Sequence, residues 1–479
     1  MPLSLHLERA MRLVTPGLMI FGSALVFFSF TLNYVWAADH PNSLLDLAYA
    51  MWVNHSPVLG PVGHFVPNSV DVFPYRGNYY SALAPGGPAL SLPFTGLAFT
   101  LNGGFSVFGY PMILSELFVS VCNAVAAYLV FKLSSLYFSQ GTAAFVAFSY
   151  AFSTIAWPFA TYFFESDVSG MFDILGVYLA LRMARSGEAR LVPSVLCGLA
   201  FAAALTVDYL NILLVPVVLG FLVYTFRTDL VRSVPRLAGM ALSSSVGVLL
   251  LALYNNAAFG NPLTTTEQAY RHASSVFGSF SYPILTGLYL NLFSPERGLF
   301  LFCPVLVAGA VGLYTMSERP ELAAEYGLLA ACFVALLIPY SMWYDAAGGE
   351  GFGQRFLIPV IPFLLVPSGF VIESRKKGSG AFVYVLYATG VVFNGLAAMT
   401  NAIPQVADMS KFPFLTAVIP TFVSGTLETW WWRDSGHLWW VVSGLILATV
   451  ILLPLATGAV GRRKDAARPH EEMLVAKPS

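Results

Sequence analysis

The charged residues of this chain are confined to short clusters between long apolar runs. Only 10% of the 479 residues are Asp, Glu, Lys or Arg, 57% are hydrophobic, and the mean hydropathy is +0.71. The apolar runs reach about 20 residues, enough for a helix to cross the ~30 Å hydrocarbon layer of a bilayer. The pattern predicts an all-α, polytopic membrane protein. The formal net charge of −1 gives no indication of nucleic-acid binding.

Positive charges decide how such a chain crosses the bilayer, because cytoplasmic loops carry an excess of Lys and Arg. With Arg9 and Arg12 placed in the cytoplasm, 18 of the 24 Lys and Arg residues lie inside and 6 lie outside. This arrangement predicts about 12 transmembrane helices, within a range of 11–13, and both termini inside. The predicted spans are 14–36, 111–131, 141–161, 168–184, 191–207, 209–226, 236–257, 298–316, 322–341, 355–373, 381–401 and 438–460.

The segment 86–107 determines this topology. Its hydropathy would allow a further span, but a span there would move the arginines of every later inner loop to the outside. Pro85, Pro88 and Pro93 also favour an interrupted segment over a straight spanning helix. We therefore predict that 86–107 lies along the outer interface or re-enters the membrane.

The chain is predicted to form a single transmembrane domain, residues 1–461, followed by a disordered cytoplasmic tail, residues 462–479. The first outer loop, 37–110, has room for juxtamembrane helices such as 43–54, where apolar residues recur at helical spacing. The four cysteines fall within apolar runs and lack metal-ligand spacing, so disulfides are not expected. The predicted location is the plasma membrane, in which the chain is multi-pass.

Two carboxylates, Asp39 and Asp46, follow the first span. A carboxylate held near an apolar surface has a raised proton affinity and can serve as a general base. The alternative for each is a helix N-cap or a solvated loop acid.

Glu165 and Asp167 stand at the outer end of the fourth span. The positive end of that helix dipole favours their charge, so capping accounts for one of the two. Their E-x-D spacing is also a weak match to a metal motif, which leaves a divalent metal open. No other cofactor is indicated.

Arg355 opens a span directly after a stretch with four glycines, 348–353. A guanidinium beside backbone amides suits a bound phosphate. The alternative is an interfacial arginine that pairs with Glu350. Arg271 lies in a polar loop and could meet phosphate or sugar, or be solvated.

Arg297 follows Glu296, and we expect the two to form an exposed or interfacial ion pair.

Motifs for nucleotide-dependent chemistry are missing from the sequence. It contains no G-x-S-x-G, H-E-x-x-H, P-loop or dinucleotide fingerprint. An outer-face enzyme without nucleotide machinery needs an activated donor that is already across the membrane. A lipid-linked phospho-sugar meets this need, because its tail partitions into the bilayer while its headgroup stays at the surface.

Five stretches, taken in order, resemble the multi-span glycosyltransferases of the GT-C superfamily. More closely, they resemble prokaryotic membrane proteins grouped with glycosyltransferase family 39, which are similar to protein O-mannosyltransferases. The matching stretches cover most of residues 40–370 and read LLDLAYAMWVNHSPVLG, RGNYYSALAPGGPALSLPF, ATYFFESDVSGMFDILGVYLALR, YNNAAFGNPLTTT with SPERGLFLFCPVL, and YSMWYDAAGGEGFGQRFLIPVIPFL.

This resemblance implies a GT-C-like fold with interfacial helices in a long first outer loop. It also implies transfer of a hexose or pentose from a polyprenyl-phosphate donor to an acceptor hydroxyl, with inversion, on the extracytoplasmic face. The implied partners are the donor, a glycan, lipid or protein acceptor, and membrane lipids.

The resemblance further implies roles for individual residues. Asp46 best matches the acidic residue of the first outer loop, which serves as base or positions the acceptor, and Asp39 is the second candidate. Asp167 matches an acidic position of the next outer loop, and Arg355 matches the arginine ahead of a P-x-x-P-like span. The assigned sets are the catalytic pair Asp46 and Asp39, the acceptor or sugar ligands Glu165, Asp167 and Tyr80, and the donor-phosphate ligands Arg355, Arg271 and Arg76.

The chain departs from its relatives before the prolines of the first loop. Relatives often carry Lys or His there, which supplies a contact to the donor phosphate, whereas residues 82–86 read Ala-Leu-Ala-Pro-Gly. Arg76 is the candidate replacement for this contact.

Two other function classes stay open. One is a multi-span transporter or lipid flippase, although the two similar halves expected of a transporter are not found. The other is a non-catalytic relative.

Overall fold

The computed structural model describes residues 15–33, 39–59, 71–106, 109–186, 191–271, 276–349, 351–374, 376–400, 412–427, 429–431 and 438–465. Most of these residues are helical, and one two-stranded sheet is present among them. The α-helices are α1 Pro16–Phe30, α2 Asp39–Tyr49, α3 Gly86–Asn102, α4 Tyr110–Ser134, α5 Gln140–Phe152, α6 Ala156–Phe159, α7 Glu165–Ser186, α8 Leu191–Val207, α9 Leu214–Thr225, α10 Leu230–Phe259, α11 Thr266–Arg271, α12 Ile284–Leu292, α13 Leu299–Phe302, α14 Val305–Ser317, α15 Ala323–Met342, α16 Ile361–Leu365, α17 Ser368–Ile372, α18 Ser379–Met399, α19 Ile419–Ser424 and α20 Trp439–Asp465.

Shorter segments of other helix types connect or extend these helices. The 3₁₀ segments are Tyr209–Leu213, Arg227–Asp229, Val276–Ser279, Pro320–Leu322 and Arg355–Val360. The π-helical segments are Ala50–Asn54 and Phe414–Val418.

Each predicted span coincides with a helix or with a run of short helices. Within the described residues, four helices are long and apolar enough to cross a bilayer, and shorter apolar helices occupy most of the other predicted spans. The long ones are Tyr110–Ser134, Arg227–Phe259, Pro320–Met342 and Ser379–Met399. The predicted helical fold is therefore found for most of the described residues, with one two-stranded sheet in addition, whereas the count of 12 spans stays a prediction.

Prolines account for the most interrupted span. The predicted helix 355–373 is divided into the 3₁₀ segment Arg355–Val360 and the short helices α16 and α17. Pro359, Pro362 and Pro367 lie in this stretch, and each removes a backbone donor and clashes with the preceding turn. The break leaves Arg355 at the start of a tight turn rather than within a regular helix.

Small residues let α8 and α10 approach closely. A Cβ added at Gly198 of α8 would lie 2.0 Å from the Ser243 Oγ of α10, and one added at Gly247 of α10 would lie 2.6 Å from the Ala202 carbonyl of α8. Small residues at a helix interface are the usual way for membrane helices to bring their backbones together. Both helices contribute lining residues to the cavity described in the next subsection.

The predicted first outer loop contains α2, a π-helical turn, a β-hairpin and α3. The predicted helix 43–54 begins earlier, at Asp39, and its last residues form the π-helical segment Ala50–Asn54. The segment 86–107 contains α3, which has 17 residues and ends at Gly103 in the left-handed conformation. At 1.5 Å per residue, α3 spans about 25 Å, less than the ~30 Å of a hydrocarbon core. Its placement along the interface stays a prediction.

The β-hairpin was not predicted from the sequence. Strands β1 (Val72–Tyr75) and β2 (Asn78–Ser81) pair antiparallel, with Phe73 opposite Tyr80. Phe73, Tyr80 and Phe259 at the end of α10 form a small aromatic cluster, so the hairpin is fixed against α10.

Several predictions lie wholly or partly outside the described residues. These concern Glu350 as a partner of Arg355, and most of the predicted disordered tail. The last helix continues to Asp465, which is four residues into the predicted tail.

The four cysteines are all free and buried; they are Cys122, Cys197, Cys303 and Cys332.

Candidate active site

A cavity of about 860 Å³ lies where the predicted first outer loop meets the N-terminal end of α7 and the C-terminal ends of α8 and α15. Its wall combines apolar side chains with a concentration of ionisable groups. Six carboxylates and one arginine are among its described lining residues. The acidic, basic and histidine residues among them are Asp39, His40, Asp71, Glu165, Asp208, Glu267, Asp345 and Arg355.

Arg355 presents a buried guanidinium to this cavity. Its side chain is 7% exposed, its Nε donates to the Gly348 carbonyl at 2.9 Å, and its Cζ lies 4.7 Å from the centre of the Phe164 ring. Its Nη1 is buried and has no hydrogen-bond partner among the described residues. An unpaired buried charged donor is costly, so this atom is suited to an anionic ligand.

Arg297 donates hydrogen bonds to the glycine-rich stretch before Arg355. Gly348, Gly349 and Gly353 have positive φ angles of 78°, 65° and 83°, a conformation that favours glycine. The Arg297 guanidinium donates to the Gly349 carbonyl at 2.5 Å and also to the Gly351 carbonyl. Arg297 is only 3% exposed, so the exposed form of the expected pair with Glu296 is wrong, whereas an interfacial pair stays a prediction. Arg297 engages two carbonyls of the turn.

His40 joins three elements at the centre of the cavity wall. Its Nε2 lies 2.5 Å from Glu165 Oε2 at the start of α7, and its Nδ1 lies 3.4 Å from Asp71 Oδ2 just before β1. The imidazole also stacks on Phe164, with ring centres 4.8 Å apart and an interplanar angle of 19°. The network thus ties α2, the hairpin and α7 together.

Opposite charges keep Glu165 ionised. Burial alone would raise the pKa of this carboxyl, but the charge and hydrogen bond of His40, together with the charge of Arg355, lower it to about 2. Glu165 is therefore an anion across the physiological pH range.

The two first-loop carboxylates have different surroundings. Asp39 lines the cavity. Asp46 is 4% exposed, is not among the lining residues, and has an Oδ2 without a hydrogen-bond partner among the described residues. Burial raises the pKa of Asp46 to about 9, so the carboxyl group is protonated at neutral pH. A protonated carboxyl group cannot act as the general base for a substrate hydroxyl.

Asp167 and Tyr80 do not line the cavity either. Asp167 is fully buried, and burial, with the charge of Glu165 second, raises the pKa of its carboxyl well above the ordinary value. Tyr80 is buried in the hairpin cluster, 5.3 Å from Phe259 between ring centres. The structure thus brings Asp39, Glu165 and Arg355 together but separates Asp46, Asp167 and Tyr80 from them.

The other two predicted phosphate ligands are not among the residues that line the cavity with Arg355. Arg76 is exposed at the hairpin turn, where its Nη1 donates to the Phe259 carbonyl at 3.4 Å. Arg271 lies at the cavity rim: its Nη1 is 3.7 Å from Glu267 Oε1, and its Cζ is 4.0 Å from the centre of the Tyr344 ring. Both Glu267 and Tyr344 line the cavity.

Sequence reasoning missed His40, and it did not assign Asp71 or Asp208 to the site. Asp208 accepts from the Leu210 amide at 3.0 Å and from the Tyr340 hydroxyl. Burial raises the pKa of Asp208 to about 6 against these hydrogen bonds. The adjacency of His40 to Asp39 was the available signal, but the partners of His40 come from 31 and 125 residues away in sequence.

The metal left open by the Glu165 and Asp167 spacing receives no support from the side-chain geometry. Among the described residues, no group of three or more His, Cys, Asp or Glu side chains is arranged to hold a metal ion. Glu165 is engaged with His40, and Asp167 is buried and does not line the cavity.

Comparisons with known proteins found structural likeness but no sequence relative. No family model matches the chain, and no curated protein matches it. The structure is similar to that of ArnT from Cupriavidus metallidurans bound to undecaprenyl phosphate, with a TM-score of 0.56 and 15% identity over 93% of this chain and 77% of that chain. It is also similar to ArnT in the apo state, with a TM-score of 0.55 and 15% identity over 93% of this chain and 76% of that chain.

ArnT belongs to the GT-C superfamily of membrane glycosyltransferases. The likeness confirms the predicted GT-C-like fold. At this level of identity it concerns the fold, and the activity has to be argued from the cavity.

Proposed function

We propose that this chain is an integral-membrane glycosyltransferase that moves a sugar from a polyprenyl-phosphate donor to an acceptor hydroxyl on the extracytoplasmic face. The observation that carries the proposal is the buried Nη1 of Arg355, which has no hydrogen-bond partner among the described residues, in a cavity whose other charged or titratable lining residues include six carboxylates and His40. A phosphate requires such a donor, and sugar hydroxyls and an acceptor proton require such acceptors. The GT-C-like fold supplies the context, and the ArnT structure with undecaprenyl phosphate supports the donor class.

The donor phosphate is placed at Arg355 in this mechanism. The guanidinium has one donor on the Gly348 carbonyl, and its Nη1 donor has no partner among the described residues, so it can bind phosphate without losing its anchor. Arg297 supports the turn that carries this anchor. When the bond between the anomeric carbon and the phosphate oxygen breaks, the departing polyprenyl phosphate keeps the electron pair, and Arg355 stabilises its charge.

Asp39 is the base in this mechanism, in place of Asp46. Asp39 lines the cavity, whereas Asp46 is buried and protonated at neutral pH. Asp39 takes the proton of the acceptor hydroxyl as its oxygen attacks the anomeric carbon. Attack from the face opposite the phosphate inverts the configuration, through the oxocarbenium-like transition state usual for glycosyl transfer.

Glu165 and Asp71 are placed at the sugar or the acceptor. Both are cavity-lining carboxylates with an oxygen engaged by His40. Carboxylate oxygens can accept several hydrogen bonds each, so both retain capacity for substrate hydroxyls. Asp167 and Tyr80 are not given such a role, because neither lines the cavity.

A comparison of donor lipids in cells with and without this gene tests the proposal. We expect one polyprenyl-phosphate sugar to accumulate when the gene is deleted and to return to its normal level when the wild-type chain is restored. Restoration with Arg355→Met or Asp39→Asn should leave the lipid elevated at equal protein level, whereas Arg227→Lys, an exposed arginine remote from the cavity, should complement.

Reconstitution separates a transferase from the alternative, a lipid flippase. The lipid identified in cells is added to the outer leaflet of vesicles that contain the purified chain and an acceptor extract. A transferase releases polyprenyl phosphate directly, whereas a flippase moves the intact donor between leaflets. Translocation of intact donor without release would contradict the proposal.

A further inference from the structure

We propose that His40 is a positioning residue whose imidazolium holds Glu165 away from Arg355 and so leaves the Arg355 guanidinium available to the donor phosphate. This inference rests on the proposed function, because it assigns a role within the same site. It names a residue that acts through Glu165 and Asp71 rather than on the reacting atoms.

The two contacts of the ring require both of its nitrogens to donate. Nε2 faces Glu165 Oε2 at 2.5 Å, and Nδ1 faces Asp71 Oδ2 at 3.4 Å. A neutral imidazole has one N–H and one acceptor nitrogen, so it can satisfy one carboxylate and would repel the other. The doubly protonated ring satisfies both, and the geometry therefore indicates the imidazolium.

The ring is fixed in place from several sides. His40 is 8% exposed and stacks on Phe164. One turn further along α2, the Ser43 hydroxyl is within hydrogen-bond distance of both the Asp71 carbonyl, at 2.9 Å, and the Ser81 hydroxyl, at 2.7 Å. The helix and the base of the hairpin are thus joined twice, which limits how far His40 can move from Asp71.

The charges around the ring favour the cation. Asp39 is the neighbour on its own helix, Asp71 faces it from the hairpin, and Glu165 faces it from α7, while Arg355 opposes it from the 3₁₀ segment. Burial lowers the pKa of His40, and the guanidinium lowers it further, but Glu165 and the hydrogen bonds to Asp71 and Glu165 raise it by more. The net result is a pKa above the ordinary 6.5.

Two cations, His40 and Arg355, compete for the Glu165 carboxylate. The charge of Arg355 also stabilises this carboxylate, and both His40 and Arg355 contact the Phe164 ring. While His40 is charged, Glu165 has a partner that is not Arg355. Once His40 is neutral or removed, Arg355 is the nearest cation left for Glu165, and the donor phosphate has to compete with it.

The pH dependence follows from the sign of the shift. A histidine with a raised pKa stays charged through pH 6.5 and loses its proton as the pH rises through the raised value. Wild-type KM for the donor should be flat below that value and increase above it, while kcat changes less. In His40→Gln, KM should be raised at every pH by about 10-fold to 100-fold, the range expected from loss of a hydrogen bond to a charged group, and its pH dependence should be absent.

A double variant distinguishes this role from a general structural one. Adding Glu165→Gln to His40→Gln removes the competitor of the phosphate, so the donor KM should return towards the wild-type value, even if kcat stays low. His55→Gln is the matched control, because His55 is an exposed histidine of the same loop. An unchanged donor KM in His40→Gln, or the same KM in the single and double variants, would overturn the proposal.

Histidine NMR provides a readout that does not depend on sugar transfer. In the purified chain carrying ¹³C-labelled histidine, the signal that disappears in His40→Gln should titrate above pH 6.5, and it should titrate lower in Glu165→Gln. A His40 signal that titrates below 6.5 would overturn this inference regardless of the reaction. Absence of transfer with a normal titration would instead contradict the proposed function alone.

Discussion

Two aspartates on one helix show how strongly local surroundings decide the chemistry of a residue. Asp39 and Asp46 are seven residues apart on α2, which places them on the same face about 10 Å apart. Asp39 lines the cavity, whereas Asp46 is buried. The sequence identified both as candidate bases, and the family resemblance ranked Asp46 ahead of Asp39. It could not show their burial, because that depends on the hairpin and α3, which pack against α2 from later in the chain.

The ranking of these aspartates can be tested directly. Asp39→Asn should reduce kcat by about 10²-fold to 10⁴-fold, the usual contribution of a general base, with little change in donor binding. Asp46→Asn keeps the shape of a side chain that is already protonated at neutral pH and should retain most activity. Turnover of both variants at matched protein level is the measurement, and loss confined to Asp46→Asn would restore the original assignment.

Arg297 gives a second prediction at the level of the residue. Its guanidinium donates to two carbonyls of the glycine-rich turn, which a lysine ammonium cannot reproduce with the same planar geometry. Arg297→Lys should therefore raise the donor KM by about 10-fold, with a smaller effect on kcat. Arg227→Lys serves as the control, because Arg227 is exposed and remote from the turn. Equal donor KM values in the two variants would contradict a supporting role for Arg297.

At the scale of elements, the sequence predicted the helices better than the contacts between them. Long apolar runs translate into helices because an unpaired backbone is too costly in lipid, and the predicted spans all coincide with helical segments. The hairpin and the His40 network depend instead on pairings between distant segments. No periodicity within α2 signals that His40 meets Glu165, 125 residues later.

The junction between α3 and α8 yields a prediction for one such contact. A Cβ added at Gly86 would lie 2.4 Å from the Thr206 carbonyl carbon, so Gly86→Ala should push the start of α3 away from α8. Because Ala82, Ala84 and Val207 line the cavity on either side of this junction, activity should fall. The free energy of unfolding should also fall, by about 1–3 kcal/mol, as for other overpacked positions.

Gly380→Ala is the control for this experiment. Gly380 lies in α18, and nothing lies within 4 Å of an added Cβ, so the substitution should be neutral or stabilise the protein by up to about 1 kcal/mol. Thermal unfolding followed by tryptophan fluorescence in detergent measures both variants. Equal melting temperatures for the two alanine variants would show that α3 and α8 are not held as closely as the structure indicates.

At the scale of the whole molecule, the predicted topology separates two faces with different roles. In this topology, most Lys and Arg orient the chain from the inner face. The same topology places the cavity on the outer face, and six carboxylates, His40 and Arg355 are among its described lining residues. In the proposed function, such a site binds an anionic phosphate only if its carboxylates are neutralised locally. The proposed His40 imidazolium does this for Glu165 and Asp71.

This two-sided arrangement depends on whether 86–107 crosses the membrane, and cysteine labelling can decide it. The native cysteines are buried, so background labelling should be low. Asn78 precedes this segment, Asn102 lies near its C-terminal end, and both are exposed. Asn78→Cys and Asn102→Cys should therefore react with an impermeant maleimide in intact cells. Ser186→Cys, at the exposed end of α7, should react only after permeabilisation. A crossing segment would reverse the last two results, because it would place Asn102 inside and every later loop on the opposite side.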